Sequence, residues 1–428
     1  MIDAGDIAQV VGGDALPNID ILDVLERLAE NGTAPVNGCA LLGVGYEDAF
    51  LRLTQTYLLD RFSRGGSAEK FVIGPFGSGK THFLRQLMEI ARDLGCVTVE
   101  VALNKDLDFT QNLAIYKEVT REIRPPDTES TGMRALLVSI FARMQTGAPA
   151  AQLDAWVDAR LGGIEHADYE LAAFGMIARR ALEAYDAGEE ATFHACCRWL
   201  EGDVTDRRLA AELNVSPVVR SEENLHGRRA LLSLFQFIRV VGFGGTVVSF
   251  DEAEQGLGVE RKKMTRILSM LQSQINAIAD LRQGSALLVY ALTPNFVDEM
   301  ESFAALQQRV ADPGPGRGFF DGNTRAVRIP LTLRGDPAED LSGIGVRLCD
   351  LLYERHGGFL LTPRETVRDA VKRLAEQIAD EDPTTASRRT MVKQTSAILL
   401  TLYDAKTLSP SALPALPALS ASPNGGET

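Results

Sequence analysis

Apolar residues recur at helical spacing through Ile19–Ala29, where Ile21, Leu22, Leu25 and Leu28 share one face and Asn31-Gly32 supply a stop. The same spacing through Tyr46–Arg61, with Phe50, Leu53, Tyr57 and Leu58 on its apolar side, predicts a second helix. Beyond Gly65-Gly66 the pattern changes to short runs of apolar and β-branched residues bounded by breakers. Lys70–Ile73, Val97–Leu103, Thr246–Phe250, Ala286–Leu292 and Ala326–Ile329 read as five strands separated by helical segments. Strands alternating with helices predict βαβ units, hence a parallel five-stranded sheet covered on both faces.

Two stretches depart from that alternation. Residues 131–229 hold long Ala-, Leu- and Glu-rich helical segments such as Tyr169–Ala187 and no strand pattern, so they read as a helical insertion. From 335 to 408 the chain again reads as all-helical, with segments at Asp340–Arg355, Thr366–Ile378 and Ser387–Tyr403. The expected organisation is an N-terminal helical segment over 1–40, an α/β core in two parts over 41–130 and 230–334, the insertion at 131–229 and a C-terminal helical domain over 335–408. Residues 409–428, rich in Ser, Pro, Ala and Gly with Glu427 as the single charge, read as a disordered tail.

A length of 428 residues calls for two or three domains, and no apolar run reaches the roughly 18 to 20 residues of a membrane span. Met1–Leu16 carries Asp3, Asp6 and Asp14 and no Lys or Arg, unlike a secretory leader, so a cytoplasmic setting is expected. Five scattered cysteines without a C-x-x-C pair argue against disulfides and zinc. The net charge of −14 opposes general coating of nucleic acid and leaves DNA contact to a local basic face, or to a complex.

The sharpest chemical signal is Gly74-Pro75-Phe76-Gly77-Ser78-Gly79-Lys80-Thr81, which matches G-x-x-x-x-G-K-[ST] between a predicted strand and a helix running through Phe83, Leu84, Leu87, Met88, Ala91 and Leu94. Glycines let successive backbone N–H groups cradle phosphates at a positive helix N-terminus. Lys80 is then expected at the β- and γ-phosphates of ATP, the Thr81 hydroxyl on Mg²⁺, and the loop residues through His82 against the nucleotide. The strand Thr246–Phe250 ends in Asp251-Glu252, an expected Mg²⁺ ligand followed by a carboxylate that polarises water. Thr293, after the strand Ala286–Leu292, stands where an open α/β sheet can sense a γ-phosphate.

The loop, the strand ending in Asp251-Glu252, Thr293 and the C-terminal helices together resemble a P-loop ATPase of the AAA+ type that carries a catalytic glutamate. More narrowly, Gly43-Val44-Gly45-Tyr46-Glu47, the 74–81 loop, Val99–Leu103 with Tyr116 downstream, and Gly242-Phe243-Gly244-Gly245 leading to Asp251-Glu252-Ala253-Glu254 are similar to the BrxD family of BREX phage-defence ATP-binding proteins. The resemblance spans about Asn18–Ala405. It implies that Val44, Gly45 and Tyr46 lie near the adenine, Tyr46 standing where related ATPases carry a basic residue, and that the C-terminal helices form a lid in which Arg388-Arg389 stand at the sensor position, with Arg389 as the expected nucleotide contact. It implies a homo-oligomer that works as an antiphage motor or switch among other defence-system proteins. An ATP-gated switch or a DNA-loading protein with little turnover is the alternative.

A guanidinium best neutralises charge developing on a γ-phosphate. Arg309, on Phe303–Val310, is the expected finger supplied to a neighbouring subunit, ahead of Arg317, Arg325 and Arg328; Arg85 is set aside on a helix expected to face away from the phosphates. His194, Cys196 and Cys197 lack a second ligand pair for a metal. Arg208–Arg220 is set aside as a DNA-reading helix-turn-helix because Arg220, Glu222 and Glu223 fall at unsuitable positions.

Overall fold

The computed structural model describes residues 20–103, 107–146, 153–251, 261–311, 313–331, 336–384 and 387–407. Glu252 and the expected tail, 409–428, lie outside them. In chain order the first elements are α1 (Ile21–Asn31), α2 (Cys39–Leu42) and α3 (Glu47–Leu53), which continues as a π-helix over Thr54–Arg61. Next come β1 (Ala68–Ile73), α4 (Lys80–Asp93), β2 (Val97–Ala102), α5 (Asn112–Glu122) and β3 (Ile123–Arg124). The helices α6 (Met133–Gln145), α7 (Leu153–Glu165), α8 (Ala172–Asp186), α9 (Glu190–Leu200), α10 (Arg207–Leu213) and α11 (Glu223–Val240) separate β3 from β4 (Thr246–Asp251). Then follow α12 (Arg261–Asp280), β5 (Ala286–Leu292), α13 (Pro294–Ser302), α14 (Ala304–Val310), β6 (Arg328–Pro330) and the closing helices α15 (Pro337–His356), α16 (Arg364–Glu381) and α17 (Ser387–Ala405).

The sheet has six strands in the order β3-β2-β4-β5-β1-β6, which corrects the expected parallel five-stranded sheet. Five strands run parallel, and β3 pairs antiparallel to β2 through Thr98↔Arg124 and Val99↔Ile123. Two residues carry no alternation to detect, and Pro125-Pro126 stops the ladder at once. The strand expected at 326–329 forms later, at 328–330.

Every residue of β4 and β5 is buried, as strands covered on both faces must be. Alternation divides them: Leu288 and Tyr290 face one core, where Tyr290 stacks on Phe250 at 4.7 Å, while Leu287 and Val289 face another. The first core is continuous with α6–α11, since Leu234, Phe235 and Phe237 of α11 share it with Val248 and Phe250. The second covers α3, the π-helix and α4. A third joins α1 to α15, α16 and α17 through Leu25, Leu348, Val371 and Leu399. Between α10 and α11 Asn214 turns left-handed (φ 55°) and α11 begins only at Glu223, too distant for the 3–4-residue turn of a helix-turn-helix.

Candidate functional site

Because β5 lies between β1 and β4, the C-terminal edge of the sheet brings three features side by side. The Gly74–Gly79 loop leaves β1, Thr293 follows β5, and Asp251 ends β4; the Gly74 N–H donates to the Leu292 carbonyl at 3.1 Å, tying the loop to the strand that delivers Thr293. Open α/β sheets place ligands outside this edge.

Gly77 (φ 79°) and Gly79 (φ 91°) hold left-handed turns that favour glycine. At Gly74 a Cβ would stand 2.3 Å from Ser78 Oγ, so the loop closes on itself only around a glycine. Gly79 precedes α4 with no side-chain cap, which leaves the first-turn N–H groups of α4 for another acceptor. Ser78 Oγ is buried with no hydrogen-bond partner among the described residues. Lys80, only 8% exposed, donates from Nζ to the carbonyls of Gly74 (3.0 Å) and Pro75 (3.1 Å), and its ammonium lies 5.3 Å from the Phe76 ring. The Thr81 hydroxyl donates to Asp251 Oδ2 at 2.6 Å, joining the start of α4 to the end of β4. A hydroxyl and a carboxylate held together are a donor set that suits a hard divalent cation.

A cavity of about 730 Å³ opens over this group. Its lining combines the polar Gly77–Thr81 segment and Asp251 with the apolar Val44, Ile344, Leu348 and Val392, so α15 and α17 share one cavity with the loop. Gly45, with φ 89°, donates its N–H to the Glu47 carboxylate. Tyr46 meets Phe83 edge-on at 5.8 Å.

Of the two adjacent arginines of α17, Arg388 turns inward. It is 7% exposed, donates through Nε and Nη2 to both Asp340 oxygens at 2.8 Å, and donates through Nη1 to the Tyr46 hydroxyl and to the Ser78 carbonyl, the latter at 3.2 Å. Burial pulls its guanidinium down, but Asp340 and Tyr46 more than offset that and raise it. Arg389 stays at the rim, donating to the Asn31 carbonyl at 2.8 Å and 3.2 Å while lining the same cavity.

His82 lines the cavity with its Nε2 against the Cys39 carbonyl at 2.8 Å; burial, then Arg388 and Arg85, hold its ring down to about 4, so it stays neutral near pH 7. Arg85, set aside from sequence, also lines the cavity, with its guanidinium held by Glu100 and the Ala34 carbonyl. A cavity running along the flank of α4 reaches a residue one turn beyond Thr81, which motif spacing did not show. Arg309 does not line the cavity: it is exposed on α14, and its charge acts on Glu69, whose carboxyl burial pushes up to about 8. Glu69 lies four residues before the end of β1, about 13 Å along the strand from the loop.

Among the described residues no cluster of His, Cys, Asp and Glu suits a metal site built from such residues alone, and no helix is long and apolar enough to cross a membrane. The family model described as BREX system ATP-binding protein BrxC/D matches residues 18–414. No curated protein and no solved structure matches the chain.

Proposed function

This chain belongs to the BrxC/D family of BREX system ATP-binding proteins, and from that premise we propose that it is a Mg²⁺-dependent AAA+ ATPase acting as a motor or switch within a phage-defence complex. The observation that carries the reading is the 2.6 Å Thr81–Asp251 contact beside Lys80 and the glycine-rich loop. The cavity falls within the roughly 300–1,000 Å³ of small-molecule sites, and its lining of both charged and apolar residues suits a triphosphate and a purine. Bound Mg²⁺–ATP supplies the phosphoanhydride whose cleavage energises the cycle.

In this reading the backbone of Gly74–Gly79 and the first turn of α4 hold the phosphates, Lys80 neutralises them, and Thr81 with Asp251 holds the cation. The purine lies against Val44, Ile344, Leu348 and Val392, near Gly45 and Tyr46. Glu252 accepts a proton from water, Thr293 orients the terminal phosphate, and Arg309 serves a neighbouring copy, because its own cavity is out of reach. Residues 335–408 act as the lid, with Arg388 touching the loop and Arg389 at the rim. Residues 131–229 present the surface for other defence-system proteins, a role supported by the exposed Val219 and Leu225, and any DNA is reached through that complex.

The test measures Mg²⁺-dependent phosphate release, with and without DNA, together with ATP binding by calorimetry. Glu252→Gln should bind ATP and lose at least about 100-fold in turnover, and mixing it with Arg309→Ala subunits should restore part of the rate. Wild-type protein that binds ATP without turnover under every condition would instead be a nucleotide-gated switch.

A further inference from the structure

One face of α4 is polar although it is half-buried at His82 and Arg85 and buried at Gln86 and Glu89. His82, Arg85, Gln86 and Glu89 follow the i, i+3, i+4, i+7 spacing of a single helical stripe. Burying such groups is costly unless each finds a partner. All four meet the segment 34–43, three through backbone hydrogen bonds. His82 meets the Cys39 carbonyl at 2.8 Å, and Arg85 Nη1 donates to the carbonyls of Ala34 at 2.6 Å and Pro35 at 3.3 Å. The Gln86 amide lies so close to Gly43 that a Cβ there would stand 2.2 Å from its Oε1. Glu89, 5% exposed, accepts three consecutive N–H groups: Gly38 at 2.6 Å and Cys39 at 3.0 Å on Oε1, and Ala40 at 2.7 Å on Oε2.

These contacts grip main chain and not side chains, so they fix where the segment lies. The segment leads directly into Val44 and Tyr46 at the cavity wall. From the other side Arg347 of α15 donates to the Leu41 carbonyl at 2.7 Å. Segment 34–43 is therefore a strap held by the helix that begins at Lys80 and by the C-terminal bundle. Glu89 lies nine residues, about 13 Å of helix, beyond Lys80.

We propose that Glu89 is a positioning residue for the base end of the nucleotide: through Gly38, Cys39 and Ala40 it sets the distance between the wall at Val44 and Tyr46 and the phosphate loop. The inference rests on the ATP-site reading above. One helix then serves both ends of the ligand, with its first turn on the phosphates and its polar stripe on the wall that receives the purine. Glu89→Gln removes one acceptor and turns an amide N–H toward a backbone N–H, whereas Glu89→Asp keeps both acceptors and shortens their reach.

The experiment compares the full chain and its variants by calorimetry with Mg²⁺–ATP and with Mg²⁺–tripolyphosphate, which has the phosphates and no base. Glu89→Gln should weaken ATP about tenfold and leave tripolyphosphate within twofold, with Glu89→Asp between wild type and Gln. If Glu89→Gln does not fold, Glu89→Asp carries the test and should show a smaller loss confined to ATP, with tripolyphosphate within twofold of wild type. Should tripolyphosphate bind wild type too weakly to measure, the ratio of ATP to UTP affinity serves, and Glu89→Gln should lower it. Equal loss of both ligands, an unchanged ratio, or no loss at all overturns the role of Glu89 while the site reading stands. Wild-type protein that binds neither ATP nor tripolyphosphate overturns the site reading itself.

Discussion

Arg388 joins three parts of the chain that are far apart in sequence, and its removal has a calculable consequence. Both its guanidinium and the Asp340 carboxylate are nearly enclosed, with side chains 8% and 13% exposed, and they meet in a two-pronged pair at 2.8 Å. Arg388→Met leaves the largely enclosed Asp340 carboxylate without its partner, and a broken buried pair costs at most about 3–5 kcal/mol. Asp340→Leu should cost a similar amount by stranding the guanidinium. The double variant loses both charges together, so it should be no less stable than either single one. Urea unfolding of the four proteins gives the coupling energy, expected at about the cost of one single variant. Calorimetry adds a second readout. Loss of the charge-assisted bond to the Ser78 carbonyl, roughly 1.5–3 kcal/mol, frees the loop from the closing helices and should weaken ATP about tenfold or more. Arg388→Lys should fall between, because an ammonium keeps the charge and loses the fork. Single-variant costs that add to within about 0.5 kcal/mol would refute the pairing.

Two further predictions concern the loop and its helix. The His82 ring is held down to about 4 in the folded chain against an ordinary value near 6.5, so the unfolded chain binds the extra proton; stability is intact above pH 6.5 and falls as the pH drops toward 4. The loss attributable to this group should be about 2 kcal/mol, discounted for solvent in the cavity, and His82→Gln should abolish that part of the acid sensitivity in pH-dependent urea unfolding. Gly74→Ala drives a Cβ to 2.3 Å from Ser78 Oγ and should cost about 1–3 kcal/mol with a matching loss of ATP affinity, whereas Gly358→Ala, with open space around its Cβ, should leave ATP affinity unchanged in the same titration.

The turn from β1 through Gly74–Gly79 into α4 was legible because its glycines and flanking apolar runs mark a strand-loop-helix unit, and β4 and β5 were legible because strands buried on both faces must be continuously apolar. The two residues of β3 show no period, and its pairing follows from where α5 ends. The helix read over Tyr46–Arg61 changes from α to π at Thr54, a difference too small in angle for apolar spacing to register. Two adjacent arginines on a helix point about 100° apart, so sequence named Arg388-Arg389 together with Arg389 as the expected contact, and only the position of Asp340 selects Arg388 as the one that reaches the loop. The strap at 34–43 was invisible for a different reason. Glu89 binds N–H groups that every residue other than proline carries, so nothing in the strap's own side chains marks it as held.

The account turns on Lys80 as the mobile cation of a nucleotide site, and ATP binding to Lys80→Ala measured by calorimetry tests it most directly. The charge-assisted contacts of one buried ammonium, about 3 kcal/mol, predict a loss of at least roughly 100-fold in affinity, in a protein whose unfolding transition is otherwise preserved. A folded Lys80→Ala protein that binds ATP as tightly as wild type would contradict the assignment of the cavity to ATP.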